Sequence, residues 1–252
     1  MVSIPAMIAR LLPVRARKKL GLGLLRATRW PPIGTVDLGD LDRTSPISTM
    51  WGFDRGTPVD RYYIEQFLKA NAEDVQGRVL EVLNNKYTLK LGGDRVEHSD
   101  VLHHAPGNPL ATVVADLTVP ESLPEATYDC VICTQTLQMT YDVRTAVETL
   151  HRTLKPGGTL LVSAPGISQI SRADMDTTGD HWRFTSAGLG RLMRDAFGDG
   201  SVEIGVHGNV AAGVAFLHGI ACEELEEGQL DVRDPDYEVL LTARAVKAAS
   251  AG

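Results

Sequence analysis

The sequence predicts a doubly wound α/β fold: a mostly parallel sheet of seven strands with helices on both faces. Short runs rich in Val, Ile and Leu alternate with helical stretches from Gly77 onward, and alternation at this spacing calls for right-handed crossovers between parallel strands. One run, Thr159–Ser163 (T-L-L-V-S), is apolar enough to be buried on both faces, as interior strands of such sheets are. The composition agrees: 252 residues, 43% hydrophobic and 23% charged, form a core without disulfides or metals to hold it.

The elements follow in order. Val59–Asn71 puts Val59, Tyr62, Tyr63, Phe67 and Leu68 on one helical face, suited to covering a sheet. Strands are predicted at Arg78–Leu83, Arg95–Asp100, Ala111–Leu117, Tyr128–Thr134 and Thr159–Ser163. Val143–Leu154 reads as an amphipathic helix closed by Lys155-Pro156-Gly157-Gly158, where fixed φ and permitted positive φ stop helices. Thr185–Phe197 is a further helix. Ser201–Val206 and Tyr237–Ala245 are the last strands, with the helical stretch Val210–Glu227 between them. Residues 1–58 form a basic helical arm and a loop-rich connector; residues 59–252 form the domain.

Charge is unevenly placed. The net charge is −7, yet the first thirty residues carry Arg10, Arg15, Arg17, Lys18, Lys19, Arg26 and Arg29 and no acid. The acidic remainder argues against nucleic acid as a partner. The arm has two readings: packing on the domain or on a second copy of the chain, or a surface helix touching anionic membrane. It lacks the apolar core and cleavage site of a signal peptide, and no stretch is long and apolar enough to span a bilayer. A soluble, cytoplasmic protein is the expectation. Three cysteines make no disulfide framework. Cys130 and Cys133 sit three apart in a predicted strand, so they should face opposite sides and be buried, sharing no metal.

In open α/β sheets, ligands bind beyond the carboxyl ends of the strands. Those ends carry Glu81, Asp100, Asp116 and the segment Thr134–Gln138. Three carboxylates at matched places suit a ligand with hydroxyls, an amine and a positive charge; a lone Asp there is commonly a turn former.

The stretches V-L-E-V at 79–82, Asp100, A-D-L at 115–117, Y-D-C-V-I at 128–132 and L-K-P-G-G-T-L-L-V-S at 154–163 resemble, in order, the class I S-adenosylmethionine-dependent methyltransferases, whose fold is Rossmann-like. The resemblance spans roughly residues 60–200. It implies S-adenosyl-L-methionine as cofactor, with Asp100 accepting from the ribose hydroxyls, Asp116 taking the adenine amine and Leu117 packing on the ring. Glu81 and Gln135 belong to the same cofactor site, and Gln138 faces the acceptor. It also implies an antiparallel pair at the end of the sheet.

The chain departs from that family after V-L-E. Where G-x-G-x-G brings bare backbone to the cofactor, this chain has Val82-Leu83-Asn84-Asn85-Lys86-Tyr87-Thr88. Asn tolerates the left-handed region, so Asn84 and Asn85 are expected to hold the turn, with Tyr87 or Lys86 contacting the cofactor. In the connector, Arg55 or Arg61 could meet the cofactor's carboxylate in a forked pair; salt-bridged packing is the alternative, favoured more for Arg61.

Gly179-Asp180-His181-Trp182-Arg183-Phe184-Thr185 is the second constellation. His181 is the candidate catalytic base, and Trp182 and Arg183 are candidate substrate contacts. The competing reading is a packed turn with Trp182 and Phe184 as anchors and Arg183 paired to an acid. His98, His103, His104, His151 and His218 read as surface or loop residues, and His207 with Asn209 as a weaker pocket candidate. The functional expectation is methyl transfer to a hydroxyl or amine of a small polar or sugar-containing acceptor. The alternative is a non-methylating use of the fold, as a structural or regulatory partner or in other chemistry such as cyclisation.

Overall fold

The computed structural model describes residues 30–249. The chain divides into two compact units, Met1–Ser45 and Pro46–Gly252. The helical arm expected at 1–30 lies outside the described residues except for Trp30. In the first unit the described residues form turns, with one 3-10 turn at Gly39–Leu41.

The second unit holds a seven-stranded sheet in the order β3-β2-β1-β4-β5-β7-β6. The strands are β1 Gly77–Val82, β2 Val96–His103, β3 Val113–Val114, β4 Tyr128–Thr134, β5 Leu154–Pro165, β6 Val202–His207 and β7 Leu240–Val246. All neighbours are parallel except β7, which runs antiparallel to both β5 and β6. The helices are α1 Val59–Ala70, α2 Val143–Thr153, the single turn α3 Arg172–Met175, α4 Ser186–Phe197 and α5 Val210–His218.

Strand residues alternate between two apolar clusters, one on each face of the sheet. Leu80, Val131, Cys133, Leu160 and Val162 join Leu150 of α2 and Leu189 and Met193 of α4. Val79, Cys130, Ile132 and Leu161 join Ile64 and Leu68 of α1 and Ala215 and Phe216 of α5. Period-two side-chain direction makes this division. It places Cys130 and Cys133 on opposite faces, both fully buried. Helix starts are fixed by side-chain caps: Asp142 accepts from Thr145 N, Thr185 from Gly188 N and Asn209 from Ala212 N, each contributing about 1 kcal/mol.

Three boundaries differ from the sequence reading. Lys155–Gly158 does not separate helix from strand. β5 already pairs at Tyr128↔Leu154 and resumes at Cys130↔Thr159, so these four residues bulge, with Gly157 at φ 81°. The third strand shrinks to two paired residues because Asp116 turns the chain back, its carboxylate accepting from Thr118 N and Oγ1 at 2.8 Å. The long helix expected to Glu227 stops at His218, where Gly219 takes the left-handed conformation.

No described helix is long and apolar enough to cross a membrane. Among the described residues, no group of three or more His, Cys, Asp or Glu side chains is placed to hold a metal ion.

Candidate active site

The strand order reverses between β1 and β4, and a cleft of about 1030 Å³ opens beyond their carboxyl ends. Its volume lies at the upper end of the roughly 300–1,000 Å³ usual for ligand pockets. Of the sequence-predicted site residues, Glu81, Asn84, Tyr87, Asp116, Leu117, Gln135, Gln138, His181 and Arg183 line it; Arg55, Asn85, Asp100 and Trp182 do not.

The loop after β1 keeps a glycine-like path without glycine. Leu83 takes the left-handed region at φ 76°, whereas Asn84 and Asn85 do not. The expectation that the asparagines hold the turn is corrected. Leu83 N donates to Leu102 O at 2.9 Å, and Asn108 Nδ2 donates to Leu83 O at 2.7 Å. These contacts hold a conformation that costs a leucine about 1–2 kcal/mol. Asn84 accepts from Lys86 N, and Asn85 turns away to the Ser99 hydroxyl. Beneath them, the buried Glu81 carboxylate accepts from Tyr87 N, Thr88 N and Thr88 Oγ1. Burial raises its pKa, and these bonds oppose the shift.

Asp100 is withdrawn from the site. β2 runs three residues past it, to His103, and Asp100 instead accepts from Arg78 Nε at 2.8 Å and Thr112 Oγ1 at 2.9 Å. The strand-end position belongs to His103, which lines the cleft with His104; their rings lie 4.6 Å apart. Both were read from sequence as surface or loop residues. His103 Nδ1 lies 2.6 Å from Ala105 O, so in the neutral ring Nδ1 carries the proton and Nε2 is an acceptor. Asp116 sits exposed at the rim with Oδ1 in its own turn, and Leu117 is buried beside it.

At the end of β4, Gln135 has φ 48°, and its N–H donates to Ser163 O at 2.9 Å. Its Nε2 donates to Asp60 Oδ2 at 3.1 Å, and its Oε1 accepts from Gln138 Nε2 at 3.2 Å. Asp60, in the first turn of α1, was not singled out from sequence. It is buried, and desolvation raises its pKa against the pull of Arg61. Its Oδ1 and Gln138 Oε1 are buried with no hydrogen-bond partner.

His181 N donates to Gln138 O at 2.7 Å, and its ring lies edge-on to Tyr141 at 5.5 Å. Trp182 stacks on Tyr141 and donates from Nε1 to Thr140 O at 3.0 Å, outside the cleft. Arg183 lines the cleft, but all its N–H donors are spent. They go to both oxygens of Asp180 and to the carbonyls of Ser168, Gln169 and Trp182. Arg183 is paired to an acid, as the packed-turn reading expected, and Phe184 packs on the core, but Trp182 is exposed and is no core anchor; His181 lines the cleft.

The connector arginines exchange their expected places. Arg55 forks onto Glu224, its Nε 2.9 Å from Oε2, and holds that carboxylate down to a pKa of about 2. Arg61 lines the cleft beside Tyr87, with its guanidinium 5.8 Å from the Phe53 ring centre. His207 and Asn209 belong to the core: burial lowers the His207 pKa to about 4, and Asn209 caps α5.

Residues 65–162 match the family model described as a methyltransferase domain. No curated protein matches the chain. Among solved structures it is similar to a SAM-dependent methyltransferase from Archaeoglobus fulgidus (14% identity, 74% of this chain and 90% of that chain, TM-score 0.46). It is also similar to the N-methyltransferase NodS from Bradyrhizobium japonicum (15%, 75% and 97%, TM-score 0.47), and to the [4+2]-cyclase SpnF (17%, 74% and 82%, TM-score 0.48). At these scores the three likenesses carry no argument about activity. Residues 65–162 thus match a methyltransferase domain, and the strand order β3-β2-β1-β4-β5-β7-β6 with helices on both faces is the Rossmann-like fold of the class I S-adenosylmethionine-dependent methyltransferases.

Proposed function

We propose that the cleft binds S-adenosyl-L-methionine and that the protein transfers its methyl group to a hydroxyl or amine of a small polar acceptor. The observation that carries this reading is the one cleft at the sheet's switch point, lined together by the ends of β1, β2 and β4 and by His181. The residues present fit the cofactor. Leu83 at φ 76° keeps the backbone path that glycine would supply, and Asp60, whose Oδ1 is buried without a partner, is among the residues lining the same cleft.

In this reading Asp116 and Leu117 receive the adenine, and His103 Nε2 accepts from a ribose hydroxyl in place of the withdrawn Asp100. Asp60 and Gln135 lie toward the amino-acid end, where Arg61 is the cation available to a carboxylate. The bound cofactor supplies an electrophilic methyl group on a sulfonium. The chain's own part is mostly in-line positioning. His181 takes the proton that an acceptor hydroxyl loses, a contribution of about 10²–10⁴-fold.

The test is transfer of label from [methyl-³H]S-adenosylmethionine to a mixture of small polar acceptors. His181→Ala should lower turnover far more than cofactor affinity. If it only lowers the melting temperature, His181 is a packing residue. A second reading, cofactor binding without methylation, is favoured by two observations: Leu83 in place of a glycine and His103 in place of an acid. It predicts tight S-adenosylhomocysteine binding with no labelled product.

A further inference from the structure

The segment 47–58 is a strap that supplies part of the cleft wall, through Trp51, Phe53, Gly56, Thr57 and Pro58. Both its ends are tied to the chain at and after the end of α5. Ile47 N and Ser48 N donate to His218 O, each at 2.9 Å, and Cys222 N donates to Thr57 O at 2.8 Å.

Two consecutive carboxylates of the 3-10 turn Cys222–Glu224 complete the second tie. Glu223 accepts from Thr57 N at 2.9 Å and from Thr57 Oγ1 at 2.6 Å. Glu224 receives the fork of Arg55 and accepts from Ala221 N at 2.9 Å. These bonds hold both carboxyls below their ordinary pKa, so the latch is charged and made at neutral pH. Gly56, between the two tied residues, lies so close to the turn that a Cβ would run into the Glu223 carboxylate.

Neither glutamate lines the cleft, but what they hold does. α1 begins directly after Pro58 and no side chain caps it, unlike α2, α4 and α5. An uncapped helix start frays unless something outside the helix fixes it, and here the latch fixes the chain leading in. The first turn of α1 carries Asp60 and Arg61 into the cleft lining. Phe53 of the same strap lies against the Arg61 guanidinium. Ion pairs as exposed as Arg55–Glu224 add little to global stability, so the effect of the latch is local.

We propose that Glu223 and Glu224 are positioning residues: by holding the strap and the first turn of α1, they aim Arg61 at the carboxylate of the cofactor. The proposal rests on the cofactor reading above. S-adenosylhomocysteine and 5′-methylthioadenosine share the nucleoside and the sulfur, and only the first carries the amino-acid end. Each is titrated by calorimetry into the full chain and its variants, and amide hydrogen exchange is followed in parallel.

Glu223→Ala and Glu224→Ala should each weaken S-adenosylhomocysteine about tenfold and 5′-methylthioadenosine by less than about threefold. Glu223→Gln should bind both like the parent, because its carbonyl can accept from Thr57 N while its NH2 donates to Thr57 Oγ1. Arg61→Ala should weaken S-adenosylhomocysteine by itself, and adding Glu223→Ala to it should cost less than about threefold more, since both changes remove one interaction. In the two glutamate-to-alanine variants the amides of residues 51–63 should exchange about tenfold faster, with β1 and β4 unchanged. Equal losses for the two nucleosides, an Arg61→Ala variant that binds like the parent, full additivity with Arg61→Ala, or unchanged exchange would each overturn the proposal. A parent that binds neither nucleoside sinks the cofactor reading and, with it, the aim assigned to Arg61; faster exchange at 51–63 would still support the latch, and unchanged exchange would overturn it too.

Discussion

Thr88 donates twice to one oxygen of Glu81, from its backbone N–H and from its hydroxyl, each at 2.7 Å. With Tyr87 N on the other oxygen, this buried carboxylate anchors the loop that follows β1. Glu81→Gln sets its NH2 against the backbone N–H of Thr88 or, turned over, against that of Tyr87, donor against donor in either case. A loss of about 1–3 kcal/mol of stability should follow, with weaker S-adenosylhomocysteine binding because the loop loosens. Denaturant unfolding and calorimetry measure the two. Lost affinity at unchanged stability would mean that Glu81 acts on the ligand and not on the loop.

Leu83 is predicted to be strained. Leu83→Gly relieves the positive φ and loses some backbone entropy to the unfolded chain, so stability should stay level or rise by up to about 1 kcal/mol. Cofactor affinity should hold or improve. A variant clearly less stable than the parent would show that the exposed leucine side chain packs on something that matters.

Asp100 and Asp116 should behave differently when replaced. Asp100→Ala removes the partner of Arg78 and Thr112 and should cost about 1–2 kcal/mol of stability with cofactor affinity unchanged. His103→Ala should do the reverse, weakening affinity about tenfold or more while the protein melts as before. Calorimetry and thermal melts on the two variants separate these outcomes. An Asp100 effect on binding would restore the original assignment.

Acid should weaken the fold through His207. Its ring is buried against Thr242 and Tyr63, and its pKa falls from 6.5 to about 4 in the folded protein. The unfolded chain therefore binds the proton first. This contribution is fully present above pH 6.5 and is lost as pH falls to about 4, by about 1–3 kcal/mol. His207→Gln keeps a partner for Thr242 and should flatten that part of the stability profile. An unchanged slope would place the titration elsewhere.

The sheet was legible because its physics is local and periodic. The apolar runs of β1, β4 and β5 and the opposite facing of Cys130 and Cys133 follow from period-two direction, and the α1 face from a 3.6 period. The lining of the cleft was legible where a motif stands at a strand end, as for Glu81, Asp116, Gln135 and Gln138. Asp100 misled because β2 (V-E-H-S-D-V-L-H) has no turn residue after the aspartate. The observed β2 has eight residues, two more than β1, and so ends at His103. Arg55 and Arg61 exchanged places because the partner of Arg55, Glu224, is 169 residues away. Asp60 gave no signal beyond an acid in a first helical turn; its burial comes from the fold.

Titration of S-adenosylhomocysteine into the parent and into Asp116→Ala by isothermal calorimetry tests the central claim most directly. The account predicts one site in the parent and about ten- to a hundredfold weaker binding in the variant, the cost of one lost partner to a ligand donor, beside a lower melting temperature from loss of the turn held on Thr118. No binding to the parent, or equal binding by both proteins, would contradict it.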